Sequence, residues 1–80
     1  MNAVEEALAV AQVRADLRSG RARGIRERAG LSQADVARAV QTDAPTVSRW
    51  ESGQHPPRRD FALKLAHLLW ELDKLTREMQ

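Results

Sequence analysis

The stretch Leu31 to Gly53, LSQADVARAVQTDAPTVSRWESG, leaves the chain few folding choices. Ser32 is a residue type that caps a helix start, and Val36, Ala37 and Val40 then fall at i, i+1 and i+4 on one helical face. Gln41-Thr42 interrupts the pattern, Asp43 offers a second cap, and Val47 with Trp50 at i and i+3 gives a second helix an inner face. Gly53 is suited to ending that helix. Two short helices joined by a tight turn follow, and their apolar faces need the rest of the chain to bury them.

The flanking segments supply that cover. Asn2 can cap a first helix reaching about Leu17 or Arg18, with Glu5 and Glu6 in its first turn, where the helix dipole favours acids. Val4, Leu8, Ala11 and Ala15 form one apolar stripe on it, and Val10, Val13 and Leu17 form another. Ser19-Gly20 breaks this helix, and a second runs from Arg21 to about Ala29, ending at Gly30 in a left-handed cap. From Asp60, read as a cap, the last helix extends to about Glu78. Its residues Phe61, Leu65, Leu68, Leu72, Leu75 and Met79 make a heptad-like seam, with Leu63, Leu69 and Trp70 beside it. Five helices are predicted, and no strands.

Eighty residues allow one small domain, near the size at which a single core suffices, and the absence of cysteine removes disulfides and zinc-thiolate sites as supports. The two histidines, His55 and His67, lie twelve positions apart without carboxylate or cysteine spacing, so the expectation is no metal, no cofactor and no enzyme. Neither a signal peptide nor a membrane-length apolar run is present, which predicts a cytoplasmic protein with no membrane partner. The net charge of +2 is unevenly distributed. Residues 1–13 carry only Glu5 and Glu6, whereas Arg14 to Arg59 contains ten arginines against five acidic residues. A polyanion-binding surface needs such a concentration of positive charge, although a solvated mixed-charge surface shares the composition.

Two short helices with this turn match the helix-turn-helix unit, whose second helix enters the DNA major groove. The run Ile25 to Gln33, Ala37, the segment Thr46 to Gly53 and the later Pro56-Pro57 resemble the DNA-binding domain of lambda-type phage repressors, Cro proteins and their bacterial relatives, the XRE family. The resemblance spans roughly residues 21 to 70. It implies an all-α, five-helix lambda-repressor-like domain over residues 1–80, with the motif at 32–52, an added amino-terminal helix and a long carboxy-terminal one. It further implies that Arg26 and Glu51 form a structural ion pair, and that Ala44, Pro45, Ser48 and Arg49 face the bases.

Side-chain chemistry agrees in part with that assignment. The Arg49 guanidinium fork fits guanine O6 and N7, though a phosphate contact or an intramolecular pair is open to it as well. Ala44 and Pro45 can supply only apolar contacts, and Trp50 is read as core. Phosphate contacts are expected from Ser32, Gln33, Thr46, Ser52, His55, Arg58 and Arg59, and are open to Arg21, Arg23 and Arg28. Two positions depart from the family pattern. Gln41 stands where the family usually has glycine, and Pro45 restricts Ala44. The resulting expectation is a sequence-specific regulator of phage or prophage type on the bacterial nucleoid, acting on a double-stranded operator by occlusion. An autoregulating antitoxin and a protein-interaction module of the same fold are the alternatives. A homodimer through the seam at 65–79 would supply a second reading head, unless the first helix covers that seam within one chain.

Overall fold

The computed structural model describes residues 1–78, which form α1 (Ala3–Ser19), α2 (Arg21–Arg28), α3 (Gln33–Val40), α4 (Ala44–Glu51) and α5 (Arg59–Glu78), with no strand among the described residues. Local chemistry sets most of these boundaries. The Asn2 carboxamide oxygen accepts the Glu5 N–H at 2.8 Å and starts α1. Ser32 and Asp35 form a reciprocal capping box at α3: the Asp35 N–H donates to Ser32 Oγ at 3.0 Å and the Ser32 N–H donates to Asp35 Oδ2 at 2.8 Å. At α4 the Asp43 carboxylate accepts the Thr46 N–H at 2.8 Å.

Three helices end in one pattern, in which crossed backbone bonds wrap the last turn around a left-handed residue. After α2 the Gly30 and Leu31 N–H groups donate to the Glu27 and Arg26 carbonyls, and after α4 those of Gly53 and Gln54 donate to Trp50 and Arg49. After α3 the pair is Gln41 to Arg38 and Thr42 to Ala37, and here the left-handed residue carries a side chain, with φ 68° and ψ 49°. The turn keeps the geometry that glycine would give, at the strain a Cβ imposes there.

The core brings all five helices together. Ile25 of α2, Val36, Ala37 and Val40 of α3, Val47 and Trp50 of α4, and Ala62, Leu65 and Leu69 of α5 are buried in one cluster, closed on one side by Val10, Val13 and Leu17 of α1. The Trp50 ring meets Phe61 at 5.6 Å between centroids, tilted by 49°, so Trp50 is a core residue. Two buried polar residues were not foreseen from the sequence. Asp16 is held by Gln12 at 2.8 Å and Arg21 at 3.0 Å, and the Thr76 hydroxyl donates to the Asp73 carbonyl.

The outer helices differ from expectation in three respects. α5 begins at Arg59, so Asp60 lies inside the first turn, where its carboxylate is 3.6 Å from Arg58 and caps nothing. The buried stripe of α5 is Ala62, Leu65, Leu69 and Thr76 rather than the heptad positions. Leu68 and Leu72 are half-buried, Leu75 and Trp70 are 52% and 63% exposed, and Met79 lies outside the described residues. On α1 the stripe Val10, Val13, Leu17 is the inner one, while Val4 and Leu8 stand outside at 69% and 66% exposure. The cause is α1 itself, which lies along α5 and covers Leu69, leaving a cleft of about 840 Å³ floored by Ala9, Val13, Ala66 and Leu69.

The left-handed Gln41 supports a direct expectation. Gln41→Gly removes Cβ strain of about 1 kcal/mol, partly offset by the flexibility glycine adds to the unfolded chain. Thermal unfolding should show a midpoint raised by a few degrees.

Candidate nucleic-acid interface

α4 divides cleanly into two faces. Val47 and Trp50 point into the core, Pro45, Ser48 and Arg49 are exposed, and Ala44 is half-buried. Pro45 is tolerated because the first turn of a helix has no intrahelical partner for its missing N–H. Arg49 extends from this outer face with a single side-chain bond, donating to Thr46 Oγ1 at 3.3 Å. Among the described residues no carboxylate lies within ion-pair distance of it, which removes the intramolecular pair as its occupation.

A knot of polar side chains holds the base of that helix. Arg26 Nε donates to Glu51 Oε2 at 2.7 Å and Nη2 to Oε1 at 2.9 Å, while Nη1 donates to the Leu31 carbonyl at 3.0 Å. Gln33 Nε2 adds a bond to Glu51 Oε1 at 3.0 Å. The end of α2, the start of α3 and the end of α4 are thereby tied together by side chains only 10% and 8% exposed at Arg26 and Glu51. Burial pushes the Glu51 carboxyl up, but the bonds from Arg26 and Gln33 and the Arg26 charge outweigh it and leave it below the ordinary range. The bond to Glu51 raises Arg26, against a smaller opposing effect of burial.

Around α4 the remaining candidates are placed unequally. Ser32 Oγ is exposed and accepts from the Asp35 N–H, with its hydroxyl beside the Asp35 carboxylate. Gln33 has one amide hydrogen on Glu51 and a second to offer. Thr46 accepts from Arg49, whereas Ser52 spends its proton on the Arg49 carbonyl at 3.1 Å. His55 is exposed in the loop after α4, and Arg58 lies 5.3 Å over the Phe61 ring and 3.6 Å from the exposed Asp60 carboxylate, with its own side chain 77% exposed. Arg59 is turned away to pair with Glu6 of α1. The other arginines named from sequence are also engaged. Arg21 bridges Asp16 and Asp73, Arg28 approaches Asp73 at 3.9 Å, and Arg23 pairs with Glu27 at 3.4 Å.

Sequence reasoning passed over Arg14 and Asp73, and read Glu6 only as a first-turn acid. Their contacts with Pro57, Arg21 and Arg59 reach across more than forty positions, beyond periodicity or spacing. Among the described residues no three His, Asp or Glu side chains gather where they could hold a metal ion. No helix among them is long and apolar enough to cross a membrane.

The lowered Glu51 pKa gives the stability a pH dependence with a definite sign. The contribution of Glu51 is complete above the ordinary glutamate pKa of about 4.3 and is lost as pH falls through the lower folded value. Asp35 and Asp43, lowered by their cap bonds to Ser32 and Thr46, act in the same direction. Denaturant titrations of Glu51→Gln should therefore show a shallower loss of stability below about pH 4 than the parent chain does. Arg26→Met, which strands the buried carboxylate, should cost about 3 to 5 kcal/mol at neutral pH.

The comparisons agree with this geometry. A family model described as a helix-turn-helix domain matches residues 19–78, from the end of α1 through α5. No curated protein and no solved structure matches the chain. With three quarters of its length inside that match and α3 and α4 arranged as the paired helices of the motif, the chain belongs to the helix-turn-helix domain family.

Proposed function

We propose that the chain is a sequence-specific regulator of transcription that lays the outer face of α4 in the major groove of double-stranded DNA, as a repressor or Cro-like protein that occludes its operator. The observation that carries this reading is Arg49: an exposed guanidinium on the outer face of α4, beside Pro45 and Ser48, outside ion-pair distance of any carboxylate among the described residues. A guanidinium fork in that position suits guanine O6 and N7. Gln33 keeps an amide hydrogen to donate to phosphate, the Ser32 and Thr46 hydroxyls lie on their capping carboxylates, and Arg58 adds an exposed charge. The reading describes a binding protein rather than an enzyme, working on the bacterial nucleoid in the cytoplasm. An antitoxin that represses its own operon would use the same surface, and capture of a co-encoded toxin would separate that role from a solitary repressor.

Arg49→Ala tests the assignment. It should lower affinity for the selected site by about 1 to 3 kcal/mol and relax preference at one base pair, as measured by binding to a library of site variants. An equal loss on every sequence would make Arg49 a phosphate ligand instead.

Two copies are part of the proposal, joined through the carboxy-terminal helix. Leu68 lies beside Ala39 of α3, and Leu72 and Leu75 follow it on the same face of α5 at four and seven residues. Leu72 also packs on the core, so Leu75, the exposed member, is the position to change. Leu75→Asp should leave the thermal midpoint nearly unchanged while shifting sedimentation toward monomer and abolishing cooperative binding to paired half-sites.

A further inference from the structure

α1 lies almost wholly before the matched domain, which begins at residue 19. It nevertheless grips the segment that leaves α4. Arg14 Nη2 donates to the Pro57 carbonyl at 3.2 Å, across 43 positions of sequence. The Pro57 ring is fully buried, and Arg14 Nε is drawn into the interior with no bond of its own. Two residues further on, Glu6 pairs with Arg59. The chain is thus held at Pro57 and Arg59, on either side of Arg58, whose side chain stays 77% exposed and whose one carboxylate neighbour among the described residues, Asp60 at 3.6 Å, is itself at the surface.

These contacts differ in kind. A bond to a backbone carbonyl fixes the path of the chain rather than one side chain, so Arg14 anchors the loop at Pro57, between the Gln54 N–H bond to the Arg49 carbonyl and the Arg58 carbonyl that opens α5. A loop fixed beforehand loses less freedom when it meets a ligand. The Glu6 carboxylate, by contrast, competes for the Arg59 guanidinium with any phosphate that approaches. We propose that α1 is a DNA-affinity element: Arg14 is a positioning residue that presents Arg58 to the phosphate backbone, and Glu6 withholds Arg59 from it. The proposal rests on the DNA-binding reading given above.

The test uses the full chain and a random-sequence duplex of about two helical turns, titrated over a range of salt. Arg14→Met keeps the apolar stem and removes the bond to Pro57. It should weaken binding about fivefold, the fold-change of a typical hydrogen bond, and loosen the Arg58 and Arg59 amides on the nanosecond scale in NMR relaxation. Arg14→Lys, which keeps a donor and the charge, should restore both. Glu6→Gln should tighten binding and steepen the log-log salt dependence by about one, the signature of one added phosphate contact. Loop amides as ordered in Arg14→Met as in the parent chain would overturn the proposal. So would a salt slope that Glu6→Gln leaves unchanged. A parent chain with no salt-dependent affinity for DNA would sink the DNA-binding reading itself, which separates the two failures.

Discussion

The bidentate contact of Arg26 with Glu51 is the constraint on which the geometry of α4 depends. α4 has only eight residues and one buried stripe, Val47 and Trp50, so apolar packing alone leaves it free to pivot about that stripe. The ion pair removes the freedom by pinning the far end of α4 to α2, while Gln33 pins it to α3. Its worth is directional. A buried pair repays little more than the desolvation of its members, and an apolar replacement of equal volume is often as stable. Two carboxylate oxygens fixed by three donors nevertheless specify an orientation that contacts between Val47 and Trp50 and their neighbours do not.

Much of this was legible in the sequence, and the reason is range. Caps and stops are local chemistry, so Asn2, Ser32, Asp43 and Gly53 announced the helix ends within a residue of where they lie. The inward turn of Val47 and Trp50 followed from a three-residue spacing. α5 was less readable because it is apolar around most of its circumference. Leu63, Leu68, Leu69 and Leu72 all pack on the core to some degree, and periodicity cannot say which stripe faces inward when α1 covers one flank and α3 approaches the other. The same ambiguity placed two apolar stripes on α1, of which only Val10, Val13 and Leu17 are used.

Charge shows the other limit of sequence reasoning. The excess of arginine between Arg14 and Arg59 suggested one basic surface, yet the fold spends much of it internally. Asp73 gathers Arg21, Arg28 and Arg77, Glu51 takes Arg26, and Glu6 takes Arg59. Asp73 and Glu6 belong to segments that are acidic overall, so a division by position along the chain hides the neutralisation. The charges that stay available near α4 are few: Arg49, outside ion-pair distance of any carboxylate among the described residues, and Arg58, paired only with the exposed Asp60, so their placement matters more than the total.

That scarcity limits what one copy can do on the proposed reading. The outer face of α4 carries one guanidinium fork, one hydroxyl and one proline ring, and a good bidentate base contact discriminates by about 1 to 3 kcal/mol. Specific regulators separate their sites from random DNA by about 4 to 10 kcal/mol, so the single bidentate contact of one α4 falls short of that range. Phosphate contacts from the loop raise affinity for all sequences together and leave that difference unchanged. A second α4 on the neighbouring half-site doubles it. On the proposed reading, loop geometry and pairing of copies therefore act on different quantities: the grip of α1 on Pro57 would set how strongly any duplex is held, and pairing through α5 would set how strongly one sequence is preferred.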